Sequence, residues 1–153
     1  YLRSTVSPYV IADSSTGILD SVTFTASVNF PGIVSGLYYV TVKHRNSIET
    51  WSKAGGENVT AGQPFTFDFT AGLSQAYGSN QTIGISGIPC LFSGDVDYDG
   101  FIDAADLQQI DNDVSTFVTG YVQTDIDGNN YVDASDASIT DNNASNFVGI
   151  VRP

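Results

Sequence analysis

The sequence predicts a mainly β fold with a small α module. An N-terminal β-sandwich, one strand short of the usual count, is followed by a pair of loop-helix units. Short segments of alternating apolar and polar residues, separated by turn residues, predict the sandwich. A twelve-residue acidic pattern that occurs twice, thirty positions apart, predicts the loop-helix pair. We therefore divide the chain into an N-terminal strand and connector (residues 1–17), the sandwich (residues 18–92) and the acidic module (residues 93–153).

Five or six short strands are predicted in the sandwich. The clearest alternation runs from Ser21 to Phe30, with its apolar residues on one face. Further strands are predicted at Leu37–Arg45, Ile48–Ser52, Gln63–Thr70 and Gln81–Ser86, with a turn at Asn46–Ser47 and a loop over Lys53–Asn58. This count falls short of the roughly seven strands of a common sandwich. The sandwich therefore has room for one more strand.

Residues 1–12 are rich in β-forming residues but contain Pro8, which cannot donate a hydrogen bond within a sheet. Residues 13–17 are typical of a turn or a flexible connector. Two alternatives follow. The segment adds as a strand to another chain and buries Val6, Tyr9 and Ile11 there, or it folds back and completes its own sheet.

The acidic pattern places side-chain oxygens at positions 1, 3, 5, 9 and 12 of each copy. In the first copy, loop 1, these are Asp95, Asp97, Asp99, Asp103 and Asp106; in the second, loop 2, they are Asp125, Asp127, Asn129, Asp133 and Asp136. Phe101 and Tyr131 occupy position 7, where a backbone carbonyl is the ligand. The spacing predicts two Ca²⁺ ions, because a chain turning around a hard cation supplies oxygens from alternate residues. The alternative that needs no metal is that the two segments are surface turns rich in Asp and Gly.

Position 6 of a calcium loop makes a sharp turn, which suits Gly100 and, in loop 2, Asn130. Helices are predicted to start near Ala104 and Ala134, each with an Asp in its first turn. An offset of thirty also aligns Phe117–Val118 with Phe147–Val148. We expect these pairs to pack together and to relate the two units by a pseudo-twofold axis.

Asp at position 12, in place of the usual Glu, and a helix after each loop resemble a dockerin over residues 93–148. Dockerins are calcium-binding docking modules, so the resemblance implies a cohesin-like partner. The positions that match the partner-reading residues of dockerins are Ala104, Ala105, Asp111, Asn112, Ala134, Ser135, Asp141 and Asn142. Dockerins often carry Lys or Arg at the later positions, whereas this chain has Asp and Asn. The Lys43–Trp51 segment resembles a hairpin of β-modules that precede such repeats in secreted bacterial proteins.

The net charge of -12 is concentrated in the acidic module, which contains twelve Asp residues and a single basic residue, Arg152. This distribution disfavours nucleic-acid binding. The chain has no Met, begins at Tyr1 and contains no apolar run that could cross a bilayer, so we expect a processed, secreted protein, extracellular or on the cell surface. The single Cys90 is expected to be a small buried apolar residue. Sequons at Asn58, Asn80 and Asn143 permit N-glycosylation in a source that glycosylates.

The segment from Lys43 to Trp51 gathers the only His and the only Trp of the chain. We expect it to surround an exposed hairpin turn, without a nucleophile beside His44, and therefore expect no enzymatic activity. The favoured function is that of a structural subunit of an extracellular assembly such as a fibre, whose partners are copies of itself. The alternatives are a docking module for a cohesin-like receptor and a carbohydrate-binding module that uses Trp51, Tyr38 and Tyr39.

Overall fold

The computed structural model describes residues 1–84 and 86–153. Its strands are β1 (Leu2–Ser4), β2 (Ile11–Asp13), β3 (Gly36–Val42), β4 (Thr50–Trp51), β5 (Glu57–Val59), β6 (Thr82–Ile83) and β7 (Pro89–Cys90). Short 3-10 helices span Phe69–Ala71, Leu73–Gln75 and Tyr77–Ser79, and the α-helices are α1 (Ala104–Ser115) and α2 (Ala134–Ser145). The prediction of a mainly β chain with a small α part is confirmed.

Strand β3 is the centre of a five-stranded antiparallel sheet with the order β2-β1-β3-β4. Strand β5 pairs with the first half of β3, and β6 and β7 form a separate two-stranded pair. Leu2 lies opposite Val40 and packs with Tyr38 and Val59 in a small core. The β part (residues 1–92) is thus one sheet with a small accessory pair, and its second sandwich layer stays a prediction.

Residues 1–13 form a hairpin on the sheet of their own chain. Strand β1 lies between β2 and β3, and the turn contains a cis Ser7-Pro8 bond and Tyr9 with φ 57°. The ring of Tyr9 packs edge-on against Tyr39 and Trp51, whereas Val6 and Ile11 are exposed. The structure therefore shows the fold-back alternative within one chain, and strand donation between chains stays a prediction.

Two predicted strands are wrong: Ser21–Phe30 and Gln63–Thr70 contain no strand. The Asp20 carboxylate accepts hydrogen bonds from the amides of Val22 and Thr23 and starts a turn there. At Thr70, the Asp68 carboxylate caps a 3-10 helix instead. Alternating residues need a partner strand and a facing layer, and neither segment has one among the described residues. Both stay on the surface as a result.

Three smaller expectations change as well. The predicted loop over Lys53–Asn58 ends in β5, which begins at Glu57. The predicted strand Gln81–Ser86 is reduced to β6, and its Ile85 lies outside the described residues. Cys90 is exposed rather than buried, because it closes the peripheral β6-β7 pair, where its thiol donates to the carbonyl of Ile88 at 3.3 Å.

Both predicted helix starts are confirmed, and α1 packs against α2 over a core of Val96, Ile110, Ile126 and Val132. The units contact each other reciprocally. Phe101 of loop 1 pairs with Gly149 after α2, and Tyr131 of loop 2 pairs with Thr119 after α1. In the described part of the chain, no helix has the length and apolar character to span a membrane.

The expected packing of Phe117 with Phe147 is wrong, since both rings are exposed. Each Phe lies just after the C-cap of its helix and has a positive φ. The valines that follow do point inward, but Val118 joins the core between the helices and Val148 joins a second cluster.

The hairpin that joins β3 to β4, Lys43–Trp51, lies between the β part and the acidic module, and we call it the interface hairpin. Its residues 46–48 are buried, whereas Lys43 and His44 are exposed. Its turn at Asn46–Ser47 is therefore not the exposed turn that we expected. Ile48 packs with Ile102 of loop 1 and Val148 after α2, and its amide donates to the carbonyl of Phe92 at 2.9 Å. The two parts share this core.

Truncation of Ile48 tests how much this shared core stabilises the fold. Ile48 is 0% exposed, so we expect Ile48→Ala to lower the free energy of unfolding by about 2 to 5 kcal/mol. Ile18 is 93% exposed, and Ile18→Ala is the matched control with a change of less than about 0.5 kcal/mol. Urea unfolding followed by Trp51 fluorescence measures both. Equal losses for the two variants would contradict a shared core.

Candidate metal centre

The last carboxylate of each loop is buried beneath the loop and ties its two ends together. One oxygen of Asp106 accepts from the amide of Val96 at 2.8 Å, and the other accepts from the amide of Asp103 at 2.9 Å. Asp136 makes the same contacts in loop 2, with the amides of Ile126 at 2.7 Å and Asp133 at 2.8 Å. The shorter Asp side chain at position 12 thus draws the helix close under the loop.

Position 6 has the predicted left-handed conformation in both loops. Gly100 has φ 93° and Asn130 has φ 71°. A Cβ atom on Gly100 would lie 2.7 Å from the side chain of Ile150, so a glycine also allows the end of the chain to pass close to loop 1. The predicted turn at position 6 is confirmed in both loops.

Each loop brings three of its predicted carboxylates together. Single oxygens of Asp95, Asp97 and Asp99 lie within 4.8 Å of one another, and so do oxygens of Asp125, Asp127 and Asp136. Groups of this kind could hold a metal ion, and carboxylate oxygens are the ligands of hard cations. The coarser prediction, two places that could hold metal, is therefore supported.

The remaining predicted ligands have other contacts. Asp103 and Asp133 cap the two helices by accepting from the amides of Ala105 and Ser135 at 2.7 and 2.8 Å. The side-chain oxygen of Asn129 accepts from the amide of Tyr131 at 2.8 Å. The rings of Phe101 and Tyr131 are exposed.

Burial and like charges act on the first carboxylate of loop 1. Burial, and to a smaller degree the neighbouring carboxylates of Asp106, Asp97 and Asp99, raise the pKa of Asp95 to about 6 despite a hydrogen bond from Gly100. Burial also raises the pKa of Asp106. In loop 2, hydrogen bonds from Ser135 lower the pKa of Asp133. Bringing the loop 1 carboxylates together therefore has an electrostatic cost that a cation would offset.

Asp125 provides a test of whether loop 2 fits a cation. It is 1% exposed, and its Oδ1 atom is buried without a hydrogen-bond partner. Its Oδ2 atom lies 3.6 Å from a guanidinium nitrogen of Arg45. A buried carboxylate oxygen without a partner has a large desolvation cost, so the donor set of loop 2 fits a bound cation.

Arg45 and Asn46, which contact loop 2 from the interface hairpin, are not predicted from the sequence as site residues. The side-chain amide of Asn46 donates to the carbonyl of Asp125 at 2.9 Å. The sequence feature that could have indicated this contact is charge. Lys43 and Arg45 are cations, and most acidic residues of the chain lie in or near the loops. Charge alone does not say which acidic group they approach.

Other predicted site residues vary in exposure. Trp51, Tyr38 and Tyr39 are buried, so they do not form the exposed flat surface that the carbohydrate-binding alternative requires. Asn58 is exposed, whereas the side-chain amides of Asn80 and Asn143 donate to the carbonyls of Gly149 and Ser93 at 3.0 and 2.7 Å. All eight positions that match dockerin partner-reading residues are exposed: Ala104, Ala105, Asp111, Asn112, Ala134, Ser135, Asp141 and Asn142.

Comparison of the chain with models of known families, with curated proteins and with solved structures finds no match.

The raised pKa of Asp95 predicts how the stability of the metal-free protein depends on pH. The folded state holds a proton on Asp95 more tightly than the unfolded state, whose pKa is near 3.8. This contribution is complete below about pH 4 and is lost as the pH rises through about 6. We expect Asp95→Asn, which stays neutral, to melt at a higher temperature than the metal-free parent at pH 7.5. The two should converge at about pH 4 and below, and a difference that is independent of pH would contradict the assignment.

Proposed function

We propose that the protein is a non-catalytic, extracellular structural protein that binds two Ca²⁺ ions and assembles with copies of itself. The observation that carries the proposal is the duplicated acidic loop, in which three carboxylates cluster and the last Asp is buried and hydrogen-bonded in each copy. Assembly is proposed to use the N-terminal residues 1–12 as a strand that one copy gives to the next.

Calcium is the favoured ion because each loop offers oxygen ligands only, at several flexible positions. Ca²⁺ accepts six to eight oxygens in variable geometry, whereas Mg²⁺ requires a compact octahedron and retains its waters. Within loop 1, five carboxylates would otherwise repel one another. Binding the ion is therefore coupled to folding of the acidic module.

Strand exchange is supported by how the N-terminal hairpin is attached. Leu2 is 1% exposed and fills the sheet core, and β1 pairs with β3 through three residues. Residues 14–35 connect this hairpin to β3 as an irregular segment of twenty-two residues, long enough to span about 70 Å when extended. The same contacts can form with a neighbouring chain, which is the geometry of a domain swap.

The irregular segment of residues 14–35 also supports strand exchange. Large apolar side chains are exposed along it: Ile18, Leu19, Val22, Phe24, Val28 and Val34. Its alternating residues can form a strand, yet among the described residues of one chain they have no partner strand. A neighbouring copy that supplied a partner strand would cover these side chains.

The second candidate is a docking module for a cohesin-like receptor. It is favoured by one observation, the exposure of the helix positions that match the partner-reading residues of dockerins. Acidic and amide residues in the later positions, Asp111–Asn112 and Asp141–Asn142, would demand a receptor with basic or polar groups in the facing positions.

Calorimetry tests the calcium sites. We expect about two Ca²⁺ per chain for the parent and one for Asp127→Ala, which removes a clustered carboxylate of loop 2. Asp141→Ala removes an exposed carboxylate outside the loops and should leave two sites. Chelation should lower the melting temperature, and millimolar Mg²⁺ should not restore it. A flat titration of the demetallated parent, or full rescue by Mg²⁺, would contradict calcium binding.

A reversible disulfide between β1 and β3 tests strand exchange. Ser4 lies opposite Tyr38 in adjacent antiparallel strands, a spacing that suits a disulfide. We expect Ser4→Cys/Tyr38→Cys, with Cys90→Ser, to stay monomeric in calcium when oxidised and to form larger species when reduced. Light scattering and electron microscopy measure the difference. The reduced form is the matched control, and assembly of both forms would rule out exchange of β1. Monomers in both forms that bind a cohesin would instead support the docking alternative.

A further inference from the structure

The interface hairpin contacts both the backbone and the side chain of Asp125, the first residue of loop 2. The Asn46 amide donates to the Asp125 carbonyl at 2.9 Å, and the Arg45 guanidinium lies 3.6 Å from the Asp125 carboxylate. Arg45 also donates to the carbonyl of Val122 and stacks 4.0 Å from the ring centroid of Tyr121. The β part thus reaches the residue that begins the candidate calcium loop.

Asp95, the first residue of loop 1, has no equivalent ion pair with the hairpin in the described part of the chain. The Asp95 carboxylate accepts a 3.5 Å hydrogen bond from Gly100 of its own loop, and in residues 1–84 and 86–153 no basic group lies within 4.0 Å of it. The hairpin approaches loop 1 through backbone and apolar contacts and through Lys43, which lies over the Tyr98 ring at 4.5 Å. The amide of Gly94 donates to the carbonyl of Asn46 at 2.7 Å, and Ile48 packs on Ile102.

We infer that Asn46 and Arg45 couple the calcium affinity of loop 2, but not that of loop 1, to docking of the β part on the acidic module. This inference rests on the calcium binding proposed above. Coupling of two binding events is reciprocal, so the ion in loop 2 also fastens the interface hairpin. Asn46 and Arg45 are positioning residues, which act on the ion through Asp125.

The expected direction of the change in calcium affinity follows from the contact that Asn46 makes. The Asn46 amide can reach the Asp125 carbonyl only when the start of loop 2 is ordered, and repulsion among its carboxylates opposes that order without an ion. The contact is therefore stronger in the calcium-bound state. Arg45 holds Asp125 in place but also repels a cation, so the two effects of its charge oppose each other. Asn46, which is uncharged, gives the cleaner test.

The experiment measures each loop separately in the full chain. Asp97→Ala/Asp99→Ala leaves loop 2 as the calcium site, and Asp127→Ala/Asn129→Ala leaves loop 1. Adding Asn46→Ala should raise the calcium Kd of loop 2 about tenfold and that of loop 1 less than about twofold. The matched control is Asn58→Ala, the same substitution at an exposed position of β5. Both Kd values of this variant should stay within about twofold.

Hydrogen exchange in the parent protein supplies a second readout that needs no variant. Calcium should slow exchange of the Gly94 amide, which bonds across the interface to Asn46, and of the neighbouring Ile48 amide, which bonds to Phe92. Equal shifts of both loops by Asn46→Ala, no shift of either, or exchange rates at these amides that calcium does not change would each overturn the inference. A parent that binds no calcium would instead refute the proposed function itself.

Discussion

The hydrogen bonds to the buried carboxylates of Asp106 and Asp136 are the interaction on which the acidic module depends. Each carboxylate joins the start of its loop to the start of its helix, through amides of Val96 and Asp103 in loop 1 and of Ile126 and Asp133 in loop 2. The loops in turn fix Ile102 and Val132 at position 8, which point into the cores. The hydrophobic packing of the module therefore follows from a polar framework, which a cation over the remaining carboxylates would complete.

The β part depends on the same framework because its own core is small. Leu2, Tyr38 and Val59 form the buried cluster of the sheet, and Ile48 is buried among residues of the acidic module instead. A short sheet of this kind covers little apolar surface by itself. The interface hairpin thus joins the β part to the acidic module through a core that both share.

The parts of the fold that the sequence predicts well are those that local chemistry decides. Ligand spacing, the turn at Gly100 and Asn130 and the capping Asp residues specify the loops and both helix starts without help from distant residues. The strand predicted at Ser21–Phe30 fails because alternation records which face a strand could bury and not whether a partner is present. Burial of the interface hairpin could not be predicted for a related reason, since Arg45 and Asp125 are eighty positions apart.

The failed strand predictions carry information about the folded chain. Residues 21–30 keep a strand-forming sequence while exposing Val22 and Phe24, and residues 1–13 are held by a hairpin with three paired residues between β1 and β3. A chain selected only for monomer stability would have little use for apolar alternation on the surface, because exposed strand-forming segments promote association. The acidic module, with its excess negative charge, opposes unspecific association by repulsion between copies. In the proposed assembly, neutralisation of that charge by bound calcium would weaken the repulsion and let the exposed apolar residues of segment 14–35 approach a neighbour. Calcium would then act on assembly through charge as well as through order.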